Sequence, residues 1–582
     1  MRALRRLLPY FRRYPRTYLV GFACLLCSNL FATLGPRYVQ HGIDAVIAGS
    51  TTKVRTAALW VIGLAALGGA LRFGMRLLLN GVSRRVETDL RDDLFRHLMS
   101  LSAPFYQRHP VGDLMARATN DLLALRMVAG PAVMYLVDTT VRTAMIVPAM
   151  LAISPSLTLW ALLPTLGLPL AMVVLGGEVH RRSMAVQDHF GDISAFVQEH
   201  LAGIRIVRAY AQESAESTVF HGLDREYIRR NLALARAQGF FNPLLGMLGG
   251  IGAVIALVLG GQGVLSGKIS VGGFVAFGVY LATLVWPMIA LGWAISLLQR
   301  GDAAASRIEA LFAVTPDVTS PTQATLLPAT SGPRRVTFEG VWFRYPGAEE
   351  RGWVLRDLSF DLPAGQVLGI VGATGSGKST IGELLVRSYD PERGRILLDD
   401  IDIRSLTLAD LRAAIGAVPQ ETFLFSDTLR GNVLLGAPDD GRLDAAAATS
   451  QLAAALPDLP NGWDTMLGER GINLSGGQRQ RAAIARALVR DPAVLVLDDA
   501  LSAVDSHTEA EILAAMRSAI VGRTALIISH RFSAVREADQ ILVLADGVIV
   551  ERGTHPELMA RGGRYVGLLA RDELEVAVSE EA

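Results

Sequence analysis

The chain has 582 residues, 51 % of them hydrophobic and only 19 % charged, with 56 basic against 55 acidic side chains and a net charge of +1. A mean hydropathy of +0.34 excludes an ordinary water-soluble enzyme, and the even charge balance gives no basis for a nucleic acid partner. The apolar excess lies before residue 300, so the first half reads as embedded in a bilayer and the second half as soluble.

In chain order, the leader carries Arg2, Arg5, Arg6, Arg12, Arg13 and Arg16 and reads as an interfacial helix on the inner leaflet. Six stretches near the roughly 20 residues needed to span a bilayer follow. They run Tyr18 to Pro36, Ala57 to Asn80, Ala132 to Ile153, Leu157 to Gly176, Phe241 to Leu265 and Val271 to Leu297. Because the first stretch is long and lacks a small-residue cleavage site, no cleavable signal is expected. The connections near Ser83 to Arg126 and His180 to Arg236 are rich in Arg, whereas the short ones hold only Lys53, Arg55 and Lys268. The positive-inside rule therefore places both termini and the two long loops in the cytoplasm. Leu90, Leu94, Leu98 and Leu101 keep a helical period past the second span, so that helix is expected to continue into water.

Some polar and aromatic residues of the spans invite a function. Cys24 and Cys27 form a C-x-x-C inside the first span, with no second pair, and read as small packing residues. Arg72, Arg76, Asp138 and Arg142 are costly in lipid, so they either face a partner or a watery cavity or snorkel to the interface. Trp286, Met288 and Trp293 either line a lipophilic cavity or serve as packing and belt residues.

Pro316, Pro321, Pro328 and Pro333 break helix between the two halves. This gives a membrane domain over 1–313, a linker over 314–333, a soluble domain over 334–570 and a short, disordered tail over 571–582. In the soluble half, the apolar strand Val367 to Val371 runs into Gly372-Ala-Thr374-Gly375-Ser376-Gly377-Lys378-Ser379-Thr380, with a helix from Ser379 to Arg387. Glycines let backbone N–H groups close round a phosphate, lysine neutralises its outer oxygens, and a hydroxyl ligates Mg²⁺. The run Val494 to Leu497 is a buried strand ending in Asp498 and Asp499, which suits the metal side of a phosphate site. Gln420 and His530 likewise follow apolar strands, where α/β sheets place their ligands. Leu474-Ser475-Gly476-Gly477-Gln478 opens a helix and offers a further anion site.

This ordered set, from about Val336 to Ala570, resembles the ATP-binding cassette family, and with the preceding spans it resembles an exporter-type half-transporter. The resemblance implies a fold of six transmembrane helices followed by a cytosolic α/β P-loop ATPase domain. It makes Gly372 to Thr380 the Walker A loop, Gln420 the Q-loop, Leu474 to Gln478 the signature, Asp498 the Walker B acid, Ser502 to Asp505 the D-loop and His530 the switch histidine. Tyr345 would stack on adenine, and Ser379, Gln420 and Asp498 would face Mg²⁺. By resemblance, Ser475, Gly477 and Gln478 complete the ATP site of a partner cassette, so two chains must meet head to tail. Short coupling helices, about Gly112 to Asp121 and Ala209 to Glu216, would dock on the cassettes.

One position departs from the family pattern. Asp499 stands where a glutamate is usual, and a carboxylate one methylene shorter is poorly placed to orient the attacking water. The Walker site of this chain is therefore expected to be slow, which suits one half of an asymmetric heterodimer; a homodimer tolerating Asp is the alternative. The expected activity is ATP-driven export of small amphipathic compounds, drugs or lipids across the plasma (inner) membrane, with siderophore-type import on the same architecture as the second reading.

Overall fold

The computed structural model describes residues 8–164, 167–328, 332–347, 350, 352–468, 471–500, 512, 514, 520 and 522–581. It divides into two compact units: Met1–Met99 with Val111–Val314, and Ser100–Pro110 with Thr315–Ala582.

The first unit is helical throughout. After a single turn, α1 (Leu8–Phe11), come the long helices α2 (Pro15–Ile47) and α3 (Thr51–Ser100). A short helix, α4 (Ala103–Arg108), belongs to the second unit. The first unit resumes with α5 (Val111–Ile153), α6 (Pro155–Leu162), α7 (Gly167–Ala202), α8 (Ile204–Ala209), α9 (Glu213–Leu265) and α10 (Val271–Phe312). Among the described residues, five helices are long and apolar enough to cross a membrane: α2, α3, α5, α9 and α10. The remaining expected span, Leu157 to Gly176, runs across α6 and the start of α7, and includes residues 165–166, which lie outside the described set.

Length shows why these helices leave the bilayer. The 50 residues of α3 extend about 75 Å at 1.5 Å per residue, far beyond the roughly 30 Å hydrocarbon layer. Large apolar side chains such as Leu19, Phe73 and Leu77 face outward. That is costly in water and natural against lipid. Inward, Ile146 and Met150 of α5 pack with Leu157 of α6 and with Phe277, Tyr280 and Leu284 of α10. Two of the four intramembrane charges pair with each other: Arg142 lies 3.4 Å from Asp138, and Asn29 bridges them, accepting from Arg142 Nε at 3.0 Å and donating to Asp138 at 2.8 Å. Two π-helical turns in α5 (Arg117–Asp121 and Val128–Ala132) widen it locally, the second around Pro131, which has no N–H to donate.

In the second unit, β1 (Val336–Phe343), β2 (Leu355–Leu362), β4 (Arg393–Leu398) and β5 (Ile401–Asp402) form an antiparallel sheet in the order β2-β1-β4-β5. The larger sheet takes β3 (Val367–Gly372), β6 (Ile415–Val418), β7 (Val494–Asp498), β8 (Thr524–Ile528), β9 (Gln540–Ala545) and β10 (Val548–Gly553) in the order β10-β9-β3-β8-β7-β6. All neighbours in it are parallel except β9 and β10. Alternation along each strand feeds two cores. Leu368, Ile370, Val494, Val496 and Leu526 point to one face, and Val371, Leu495, Leu497, Ala525 and Ile527 to the other. Because β3, β6, β7 and β8 run the same way, Gly372, Val418, Asp498 and Ile528 end on one edge, where ligands of open α/β sheets collect.

Several expectations need correction. The element of the first long loop that joins the cassette unit is α4, not Gly112 to Asp121. Pro104 and Phe105 of α4 are buried, and the Ser102 hydroxyl accepts the Val318 N–H at 3.0 Å. Asp121 instead receives Arg307 Nε of α10 at 2.9 Å, inside the membrane unit. In the second loop, Ala209 to Glu216 is not one helix but the break between α8 and α9. The tail is not irregular: residues from Arg564 to Glu581 form a helix, and Asp572 accepts the Phe532 N–H at 3.1 Å. No Gly or Pro interrupts Arg571 to Glu581, so nothing local stops it. Residues 1–7 of the leader and the side chain of Met288 lie outside the described residues. The described part of the leader is fastened to α3, Tyr10 donating to Asp93 at 3.0 Å and Arg13 to Asp89 at 3.0 Å.

Candidate functional site

At the carboxyl edge of the larger sheet, the chain turns from β3 into α11 (Lys378–Leu385). Gly377 caps this helix at φ 96°, a left-handed conformation. A β-carbon there would lie 2.9 Å from Leu355 Cδ2 and 3.0 Å from the Val354 carbonyl. Gly377→Ala is therefore expected to lower the thermal midpoint of the isolated or intact protein by the equivalent of about 1–2 kcal/mol and to weaken nucleotide binding. Unchanged unfolding and unchanged binding would show that the loop does not need this conformation.

The loop encloses a cavity of about 550 Å³. Thr374, Gly375, Gly377, Lys378, Ser379 and Thr380 line its floor, Asp498, Asp499, Gln420 and His530 one side, and Tyr345 the other. Ser379 Oγ donates to Asp498 Oδ1 at 3.0 Å, bringing together two of the groups expected to face Mg²⁺. Gln420 Nε2 stands 3.5 Å from Asp499 Oδ2. Tyr345 OH donates to Glu383 at 2.8 Å and lies 2.9 Å from Thr380 Oγ1.

The electrostatics favour an anion at the floor and a cation beside Asp498. Lys378 is buried and, among the described residues, its ammonium donates to the Gly372 and Ala373 carbonyls alone, at 2.8 and 2.9 Å. Burial pushes that ammonium below the usual lysine range, against the opposing pull of Asp499 and Asp498. Burial likewise lifts the Asp498 carboxyl above the usual carboxylate range, with the Ser379 hydrogen bond opposing. Ser376 Oγ is buried without a partner. A buried cation held only by carbonyls, an orphaned hydroxyl and a desolvated carboxylate are the groups that a nucleotide's phosphates and a hard divalent cation would satisfy. The residues present therefore fit both.

Not every residue named from sequence meets here. Ser475, Gly477 and Gln478 do not line the cavity. They open α12 (Gly476–Leu488), where Ser475 Oγ accepts from Gln478 N at 3.2 Å and Gln478 Oε1 accepts from Ser475 N at 2.9 Å. Ser475 is exposed at this 13-residue helix's start, so the helix presents an N-terminus to whatever approaches. Gly372 serves through its carbonyl to Lys378. The D-loop, Ser502 to Asp505, lies outside the described residues. Sequence reading missed Gln107 of α4, which lines the same cavity as Tyr345. Only the aromatic pair Phe105-Tyr106 beside it hinted that this stretch packs rather than hangs in solvent.

Comparison with known proteins places both units. Residues 18–288 match the ABC transporter transmembrane region, and residues 355–502 match the ABC transporter domain. The chain is 38 % identical to the "Probable multidrug resistance ABC transporter ATP-binding/permease protein YheI" of Bacillus subtilis (strain 168), over 99 % of this chain and 98 % of that one. It is 36 % identical to the "Multidrug resistance-like ATP-binding protein MdlA" of Escherichia coli (strain K12), over 100 % of this chain and 98 % of that one. A solved structure, that of a bacterial Atm1-family ABC exporter with ATP bound, superposes with a TM-score of 0.76 at 30 % identity, covering 98 % of each chain. Matched across its whole length by transporters in which a permease and an ATPase share one polypeptide, the chain belongs to the ABC transporter family, as a multi-pass membrane exporter whose cytosolic nucleotide-binding domain couples ATP hydrolysis to transport.

Proposed function

We propose that the chain is one subunit of a dimeric exporter of amphipathic compounds, drugs or lipids, and that its partner is a second, non-identical half-transporter. The observation that carries the dimer is the split of the site: the Walker residues surround one cavity, while Ser475, Gly477 and Gln478 stand apart at an exposed helix start. One chain thus holds two half-sites, and pairing head to tail completes both. Multidrug resistance proteins among the relatives support export over siderophore-type import.

In this reading Lys378, the loop N–H groups and Ser379 hold the phosphates, Tyr345 stacks on the base, and Ser379, Gln420 and Asp498 face the metal. When bound, ATP and Mg²⁺ supply the binding energy and the cleavable phosphoryl bond. Ser475 and Gly477 of this chain close on the partner's nucleotide through the helix N-terminus. His530 and Gln420 line the cavity at strand ends, where they would face the reacting phosphate and its water. Asp499 orients that water poorly, which makes this site the slower of two. Closure of the cassettes favours one arrangement of the membrane helices and opening the other, so the nucleotide acts through its differential affinity for the two states.

The test is transport by the co-expressed pair in inside-out vesicles. ATP-dependent uptake of a lipophilic dye is expected, with loss of uptake when either half is absent. Uptake by this chain alone at the full rate would remove the heterodimer, and ATP-driven movement in the opposite direction would remove export.

A further inference from the structure

A second cavity, of about 350 Å³, lies at the far end of the membrane unit. Arg37, Gln40 and His41 of α2 line it, with Lys268 and Ser270 of the α9–α10 connection and Tyr280 of α10. Since α10 leads at Phe312 toward the cytosolic ATPase domain, its start at Val271 faces the outer surface. Basic residues are few at this end, Lys53, Arg55 and Lys268 on or beside the connections and Arg37 in the outer part of α2, and two of these four converge on one cavity. Arg37 hydrogen-bonds the Tyr280 hydroxyl, but among the described residues no carboxylate pairs with it or with Lys268, and both cations are exposed to what enters the cavity.

The nearby carboxylate is already engaged. Asp44 Oδ1 accepts the Gly272 N–H and Oδ2 the Ser270 hydroxyl, each at 2.9 Å. It ties the end of α2 to the start of α10 and leaves the two cations uncompensated. A β-carbon on Gly272 would collide with the Gln40 carbonyl, so the rim is built to close tolerance. On the wall, Tyr280 OH donates to the Thr33 carbonyl at 2.7 Å, and His41 Nδ1 meets the Arg37 carbonyl at 2.6 Å.

The depth of the cavity selects its ligand. Tyr38, next to Arg37, stacks on Trp60 with ring centroids 5.4 Å apart, and Trp60 is half exposed. Paired amphipathic aromatics of this kind settle at the headgroup level of a bilayer. Leu59, Leu265 and Val271 are exposed around it, apolar surface that acyl chains cover. Two cations without a carboxylate partner in a polar cavity, at headgroup depth and beside lipid-facing apolar side chains, are the complement of a phosphate carried on a lipid.

We propose that this cavity binds the phosphate of an anionic outer-leaflet phospholipid, with Arg37 and Lys268 as its ligands, at a place distinct from the ATP site. The test uses the full chain in nanodiscs of phosphatidylcholine containing phosphatidylglycerol as the minor lipid, with retained lipids counted by native mass spectrometry. R37Q/K268Q is expected to retain about tenfold less phosphatidylglycerol than the unsubstituted protein, the scale of one lost hydrogen bond to a charged group, with phosphatidylcholine unchanged. Should the double variant fail to assemble, K268Q, on an exposed connection, is expected to lower phosphatidylglycerol retention several-fold by itself, and ATP binding is expected to stay unchanged in both. Equal retention in variant and unsubstituted protein overturns the site. Release of phosphatidylglycerol by inorganic phosphate at constant ionic strength assigns the cavity to a soluble anion and overturns the lipid.

Discussion

Lys378→Ala is expected to abolish nucleotide labelling of this chain at concentrations that saturate the unsubstituted protein, an affinity loss of about 10²–10³-fold. The reason is the position of its charge. The ammonium is buried in the loop and held only by two carbonyls, so its donors are aimed before any phosphate arrives and reorganisation costs little. Alanine removes that charge from a place where water does not replace it. Folding is expected to survive, because the substitution also relieves a desolvated cation; the thermal midpoint should hold or rise slightly. Lys378→Arg is not expected to rescue, since a planar fork does not fit a seat shaped for a compact ammonium. Photolabelling with an azido-ATP analogue reads binding on each chain separately. Labelling of the alanine variant at the unsubstituted level would place the nucleotide elsewhere.

The second large effect concerns Asp499. Its N–H donates to the Ile528 carbonyl at 2.8 Å and its φ is 49°, so the backbone holds it in a left-handed conformation at the end of β7. Asp and Asn tolerate that conformation better than longer residues do. In the proposed heterodimer, Asp499→Asn is therefore expected to lower total ATPase by less than about twofold, whereas neutralising a glutamate at the corresponding position of the proposed partner should cost on the order of 10²–10⁴-fold. Asp499→Glu should move the other way, raising turnover at this Walker site by up to about 10²-fold, offset by a small cost for glutamate at positive φ. Phosphate release from the purified pair measures all three. Near-total loss in Asp499→Asn would mean that the shorter carboxylate already orients water, and the asymmetric reading would fail.

Ionic chemistry at short range was legible from the chain alone. Gly372 to Thr380, Asp498, Gln420 and His530 are each tied to the end of an apolar strand, and parallel strands place such ends on one edge whatever the loops between them do. Tyr345 was found by resemblance, and its hydroxyl ties it to Thr380 and Glu383 of α11 at the cavity wall. Gln107 was invisible, because its role depends on a six-residue helix packing with the cassette unit, and six residues carry too little periodicity to signal a docked face. The charged run Gly112 to Asp121 was visible as charge, but not that its Asp121 carboxylate takes Arg307, far away in sequence.

Composition and local pattern pointed to the membrane half and the soluble half, to five long apolar helices among the described residues, and to the glycine loop that lines the cavity, since apolar runs and a glycine loop are properties of short segments. Tertiary packing alone decided which loop helix joins the ATPase unit, that the signature helix stands away from its own chain's cavity, and that Arg37 and Lys268 share one pocket. Those outcomes depend on residues tens to hundreds of positions apart, and their meeting is fixed by how helices and sheets close-pack, which no window along the chain contains.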